Sequence, residues 1–331
     1  VKINWRLLLG IGVSVLALAL ILKDVSWPAL VSAVTRGNYW WLVPATGVMM
    51  LAMGLRALRW QALLDNRISA ARSFHIENAG NLLNNVLPLR LGELARAYMV
   101  SRNSPVTAMQ SLSTVFIERI LDVLTMFALL LVVLPFVPAP AVVVQGGQTA
   151  ALLAMVGVAG LFVAAAFRSQ SVALARRLLG WLPETLRESL IARGDDFLQG
   201  VSAAGGKRLL AAIGWSIPIW LCWGTSAYLM LFVFVPQAEL KMGFFTTCVQ
   251  ALGLSIPSAP SGAGIYEAAT IAGLAVFGID HDTALAYGLL VHLYTFLLVA
   301  LLGIWGLDRE GESFGHIASA AQSVVASRSD R

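Results

Sequence analysis

Three groups of polar side chains interrupt an otherwise apolar sequence, and their spacing suggests what they could bind. Glu118, Arg119 and Asp122 fall within the apolar stretch 110–134. Ser111, Thr114, Glu118, Asp122 and Thr125 recur in steps of three and four, which places them on one face of a helix. Such a stripe lines a protein interior or a wet groove, because a charge at the bilayer centre costs at least about 2.5–3.5 kcal/mol. Arg119 is rotated about 100° from Glu118 and is free to pair with a neighbouring helix. A second group places Asn78, Asn81 and Asn85 on one helical face, followed by Arg90, Glu93 and Arg96. Arginine offers a planar fork that grips phosphate through two hydrogen bonds, and Glu93 between two arginines could tune that grip. The third group is Ser261, Gly262, Ala263 and Gly264, with Glu267 one turn further on. Free N–H groups at the start of a helix favour an anion, and glycine lets a ligand approach the backbone closely.

A second role fits the same charges. Arg90, Glu93, Glu118, Arg119 and Asp122 could form buried ion pairs that lock neighbouring elements together, and this role can coexist with ligand binding. Arg56 and Arg59 are expected to snorkel to the membrane boundary. His292 is expected to be a satisfied core histidine, with proton relay as the alternative. Tyr266 and Tyr294 are read as packing residues, and Trp27, Trp40, Trp41 and Trp60 as an interfacial aromatic belt.

The elements that must position these groups are membrane helices. The 331 residues are 58% hydrophobic and 12% charged, against about 25% charged in soluble domains. Stretches of roughly 20 apolar residues predict spans at 5–22, 39–63, 110–134, 149–167, 209–235 and 283–307. The first resembles a signal peptide but is read as a retained helix, since no persuasive cleavage site precedes Lys23. Two further apolar segments, 74–102 and 244–278, are broken by Asn84-Asn85-Val86-Leu87-Pro88 and by the proline- and glycine-rich run 256–264. Each is read as a re-entrant hairpin, since irregular backbone survives at membrane depth only inside protein or beside a wet cavity.

Lysine and arginine placement predicts the orientation. With the N-terminus cytoplasmic, Arg67, Arg72, Arg309 and the basic loop 168–208 all lie inside, while the outer connections hold only Lys23, Arg36 and Lys241. The two hairpins then enter from opposite sides. The expected fold is an all-α polytopic membrane protein with six spanning helices and two re-entrant helical hairpins in an inverted-topology repeat, an architecture common among secondary transporters. The first repeat covers residues 1–134 with hairpin 74–102, and the second covers 149–307 with hairpin 244–278. The hairpin tips echo each other, each reading proline, a glycine four residues on, then glutamate. Loop 168–208 is expected to form one or two amphipathic helices facing anionic lipid on the cytoplasmic side, with a soluble helical linker as the alternative. Residues 308–331 are expected to be a disordered cytoplasmic tail.

Several functional classes lack their signatures. No GxSxG, HExxH, P-loop or Rossmann fingerprint is present. No basic run interleaved with aromatics points to nucleic acid, and Cys222 and Cys248 have no metal-ligand spacing. No cofactor and no metal are expected, and no enzyme activity.

Three motifs taken together resemble a known family. They are Asn85-Val-Leu-Pro88-Leu-Arg90-Leu-Gly92-Glu93-Leu-Ala-Arg96, Glu118-Arg119-Ile-Leu-Asp122, and Pro260-Ser-Gly262-Ala-Gly264-Ile-Tyr-Glu267. Their order and spacing over residues 5–307 resemble the lysylphosphatidylglycerol synthase transmembrane-region family, the flippase-like domain of bacterial multiple peptide resistance factors. Where that family has two glycines after the proline, Ser261 replaces the first. The resemblance implies movement of a polar-headed, phosphate-bearing lipid between leaflets of the cell (inner) membrane. Only about 24 residues follow Leu307, so the aminoacyltransferase domain of the full-length factors is expected to be absent. The expected substrate site is Asn81, Asn85, Arg90, Glu93, Arg96, Glu118, Arg119, Asp122, Gly262, Gly264 and Glu267. The rival readings are a proton-coupled transporter of a small solute and a membrane scaffold for a separate lipid-modifying enzyme.

Overall fold

The computed structural model describes residues 21, 23, 25–87, 91–102, 104–202, 206–255, 259–313 and 315. All regular structure among them is helical. Helix α1, Trp27–Arg36, carries Pro28 in its first turn, where the missing N–H is tolerated. A 3-10 turn, Tyr39–Trp41, leads into α2, Leu42–Leu63. Helix α3, Ala70–Val86, is capped by Ser69, whose hydroxyl accepts the Arg72 N–H. It is followed by α4, Leu91–Arg102. A Thr107–Gln110 capping box opens α5, Ala108–Val133. Then come α6, Ala141–Ala166, α7, Arg168–Leu178, and α8, Glu184–Ser202. The second half contains α9, Lys207–Leu231, α10, Leu240–Gly253, α11, Ile265–Ala275, and α12, His281–Arg309. A 3-10 turn, Pro260–Gly262, precedes α11.

Among the described residues, five segments are long and apolar enough to cross a bilayer: Tyr39–Leu63, Ala108–Phe136, Val144–Ala166, Lys207–Leu231 and His281–Arg309. They match five of the expected spans to within a few residues. The expected span 5–22 lies outside the described residues except for Ile21, which packs with Leu30, Leu285 and Ala286. Leu153, Val163, Leu293 and Leu301 point outward from these helices, as a lipid-facing surface requires. The multi-pass membrane character follows from these helices.

Both expected breaks occur. Helix α3 ends at Val86 and packs against α4; α10 ends at Gly253 and packs against α11. The longest contacts join α2 to α9 and α3 to α12. Glycines set the close crossings, as in membrane helix packing generally. A Cβ on Gly303 of α12 would sit 2.8 Å from the Asn78 carbonyl oxygen of α3. At the first hairpin a Cβ on Gly92 would sit 2.6 Å from Asn84 Oδ1, which accepts the Gly92 N–H at 2.8 Å.

The start of the tail is tied down: Glu310 accepts from Arg72 at 2.9 Å and Glu312 pairs with Arg102. Residues 316–331, also expected to be disordered, lie outside the described residues. Loop 168–208 forms two helices, α7 and α8, which pack together with Leu174, Leu178 and Trp181 exposed.

Candidate functional site

The intramembrane charges converge where α2, α3, α4, α5 and α9 meet. Arg59 of α2 is fully buried. Its Nη1 donates to Asp122 Oδ1 at 2.7 Å and to Ser216 Oγ at 3.0 Å. Its Nη2 lies 3.5 Å from Glu118 Oε1. Arg96 of α4 is also buried and donates to Glu77 Oε1 at 3.0 Å and Glu118 Oε2 at 2.8 Å. The Arg96 guanidinium lies 4.2 Å over the Trp60 ring, whose N–H donates to Thr114 Oγ1 at 3.0 Å. Glu118 thus bridges two arginines, and each charge survives burial because its neighbours neutralise it.

One edge of this lattice is open. Arg119 Nε donates to Glu93 Oε1 at 3.1 Å, and Arg119 Nη1 lies 3.8 Å from Asp122 Oδ2. The side chains of Arg119, Glu93 and Asp122 are 36%, 24% and 22% exposed. Arg56, one turn before Arg59, is half-buried and forms no ion pair among the described residues. Asn81 and Asn85 are half-buried, and their amides make no hydrogen bond among the described residues. The rim therefore offers the Arg119 guanidinium and the carboxylates of Glu93 and Asp122.

The structure brings Glu93, Arg96, Glu118, Arg119 and Asp122 together. Arg90 lies outside the described residues. Gly262, Gly264 and Glu267 belong to a second polar group beyond α3, which packs against the Pro260–Gly262 turn. There Glu267 Oε2 accepts the Gly264 N–H at 2.7 Å, so the chain's own carboxylate fills the anion position expected at this helix start. Glu267 Oε1 lies 2.6 Å from His292 Nδ1. The proline–glycine turn requires left-handed backbone, with φ of 59° at Ser261, 77° at Gly262 and 84° at Gly264.

Two expectations fail at this site. Arg59 does not snorkel but sits at the centre of the lattice. Trp60 is not in an interfacial belt; it is buried beneath Arg96. Glu77, Ser216 and Asn84 went unread. For Glu77 a signal existed, since a carboxylate in a short intramembrane helix needs a cation within reach.

The two groups correspond by position. Glu93 is the third residue of α4 and Glu267 the third of α11. Arg119 and His292 each lie 11 residues after the first residue of the next long helix, α5 and α12.

A helical membrane protein with a buried ion-pair lattice, opened at one rim, defines the class. Residues 7–303 match the lysylphosphatidylglycerol synthase TM region, and the chain belongs to that family. It is 25% identical over 227 residues to UPF0104 membrane protein MJ1078 of Methanocaldococcus jannaschii, covering 67% of this chain and 91% of that protein. It is 26% identical over 325 residues to Glycosyltransferase AglD of Haloferax volcanii, covering 86% of this chain and 51% of that protein. The chain thus spans about half the length of that glycosyltransferase. No solved structure matches it.

Proposed function

We propose that the chain is a lipid flippase-like transporter that passes a phosphate-bearing headgroup between leaflets while the acyl chains stay in the bilayer. The observation that carries this reading is the partly exposed Arg119–Glu93 pair, set at membrane depth on the rim of a buried, internally neutralised lattice. Arg119 and Arg56 would take the phosphate, Glu93 and Asp122 any ammonium, and Asn81 and Asn85 the remaining polar atoms. Arg59 and Arg96, spent on buried carboxylates, would hold the frame. This moves Arg96 from the expected ligand set to a structural role. The chain performs no chemical step of its own in this reading.

Topology supports the proposal. Helices α3, α4, α10 and α11 hold 17, 12, 14 and 11 residues. At 1.5 Å per residue each falls short of the roughly 30 Å hydrocarbon core. Both pairs then read as re-entrant hairpins. Contacts of α3 with α12 and of α10 with α5 relate the halves reciprocally, as an inverted repeat would. Ion pairs Arg208–Asp65, Arg72–Glu310 and Arg102–Glu312 gather span ends and both halves on one basic face, which we assign to the cytoplasm. Family membership points the same way, toward handling of lipid or glycolipid.

The test is transfer of fluorescent phosphatidylglycerol between leaflets of phosphatidylcholine vesicles holding the protein, read by dithionite quenching. Arg119→Ala with Arg56→Ala should lower the rate at least about tenfold, the loss of one or two charge-assisted hydrogen bonds. An unchanged rate would remove the rim from the mechanism. The relative named a glycosyltransferase favours a second reading, a membrane scaffold for a lipid-modifying enzyme. Stable co-purification with such an enzyme and no transfer by the chain alone would support it.

A further inference from the structure

The Glu267–His292 contact is not used by the lipid-binding rim. His292 stands about 16 Å along α12 from His281, close to mid-depth of a 30 Å layer. Its Nδ1 faces Glu267 Oε1 at 2.6 Å, and its Nε2 makes no hydrogen bond among the described residues. The carboxylate is 5% exposed and the imidazole 17%. No lysine or arginine pairs with Glu267 among the described residues. With a neutral imidazole the pair carries one uncompensated negative charge; one further proton brings it to zero. Burial favours the neutral total. At the corresponding place in the first half stands Arg119, which keeps its charge at any physiological pH. One glutamate therefore faces a guanidinium and the other an imidazole, which can take up and release a proton.

Among the described residues, the ionisable groups named here on the helices packed against α11 and α12 make no ion pair with Glu267 or His292. Tyr266 of α11 lies with its ring 4.8 Å from the imidazole. On α12, Tyr287 donates to the Ala227 carbonyl and Tyr294 contacts Thr46. Glu77 of α3 is held by Arg96, and His75 packs on Trp305. On α10, Cys248 faces the Met126 carbonyl and Lys241 pairs with Glu239. On α9, Tyr228 packs on Phe232 and Cys222 is half-buried. Arg36 of α1, the charged residue of that helix, is exposed and makes no ion pair among the described residues.

We propose that Glu267 and His292 form a proton-binding site that couples proton movement to lipid transfer. The proton adds to Nε2 while the Nδ1–H keeps its bond to Glu267. Because Glu267 also holds the Gly264 N–H, its carboxylate links the α12 imidazole to turn 260–264, and the proton taken up at Nε2 is released from the same nitrogen.

The inference rests on the lipid-transfer reading, and two readouts separate them. The 331-residue chain is placed in phosphatidylcholine vesicles with fluorescent phosphatidylglycerol and internal pyranine. Wild-type transfer should change about tenfold between about pH 6 and 8 with accompanying proton flux, while His292→Arg and His292→Gln change about twofold or less. Equal pH profiles for wild type and both variants overturn the proton site and leave lipid transfer standing. If no lipid moves at any pH, the transfer reading fails, and 15N-histidine spectra decide the site. A His292 signal that titrates between about pH 5 and 9, with a midpoint shifted by Glu267→Gln, upholds it. A single protonation state across that range rejects it.

Discussion

Glu267 meets His292 at 2.6 Å where, at the corresponding positions, Glu93 meets Arg119 at 3.1 Å. Each glutamate enters with the second arm of a helical hairpin, and each partner comes from the long helix that follows. The two pairs hold corresponding positions but differ in charge, and in the proposed reading phosphate affinity belongs to the Arg119 pair.

The lattice holds the first hairpin in place. Arg96→Met leaves Glu77 and Glu118 buried with one of their cations removed, and the expected cost is about 3–5 kcal/mol of stability. Adding Glu77→Gln removes one of the stranded charges and should recover part of the loss. Unfolding midpoints of the purified variants in detergent check both.

Ser261 occupies left-handed backbone at φ 59°. Ser261→Gly relieves strain of about 1–2 kcal/mol against an entropic cost of about 0.5–1 kcal/mol. A small rise in the unfolding midpoint is expected, and a fall would show that the serine side chain holds the turn.

Helix α3 approaches α12 across Gly303, where a Cβ would meet the Asn78 carbonyl. Gly303→Leu should abolish a monodisperse elution peak. Gly157 of α6, whose Cβ would have nothing within 4 Å, should accept leucine without change. Size-exclusion profiles distinguish the two.

Outside the membrane, a hydrogen bond from Arg168 holds the Asp195 carboxyl below the usual aspartate range. A depressed acid stabilises above its unfolded value and loses that contribution as pH falls through the folded one. Hydrogen-exchange protection of α7 and α8 should stay flat from about pH 7 to 5 and decline below about pH 4. Asp195→Asn should remove that step.

Much of this arrangement could be read directly from residue spacing. The stripe through Glu118 and Asp122 did face inward, and the breaks near Pro88 and Pro260 did separate short helices. The choice between Arg56 and Arg59 was not legible. They sit three residues apart, and which one is buried depends on where Asp122 and Glu118 of α5 and Ser216 of α9 meet α2. Asn84 was passed over for the same reason: helical stepping selects Asn85, while the tip contact with Gly92 depends on where α4 folds back. Glu77 became intelligible only once Arg96, 19 residues away, was seen to reach it.

In the proposed mechanism the rim formed by Arg119 and Glu93 receives a lipid headgroup. A cryo-EM map of the protein in nanodiscs containing phosphatidylglycerol tests it directly. Phosphate density is expected within hydrogen-bond reach of Arg119, with acyl density leading out between helices. Acyl chains packed against Arg119, or a map that scatters Arg59, Arg96 and Glu118 away from one another, would contradict it.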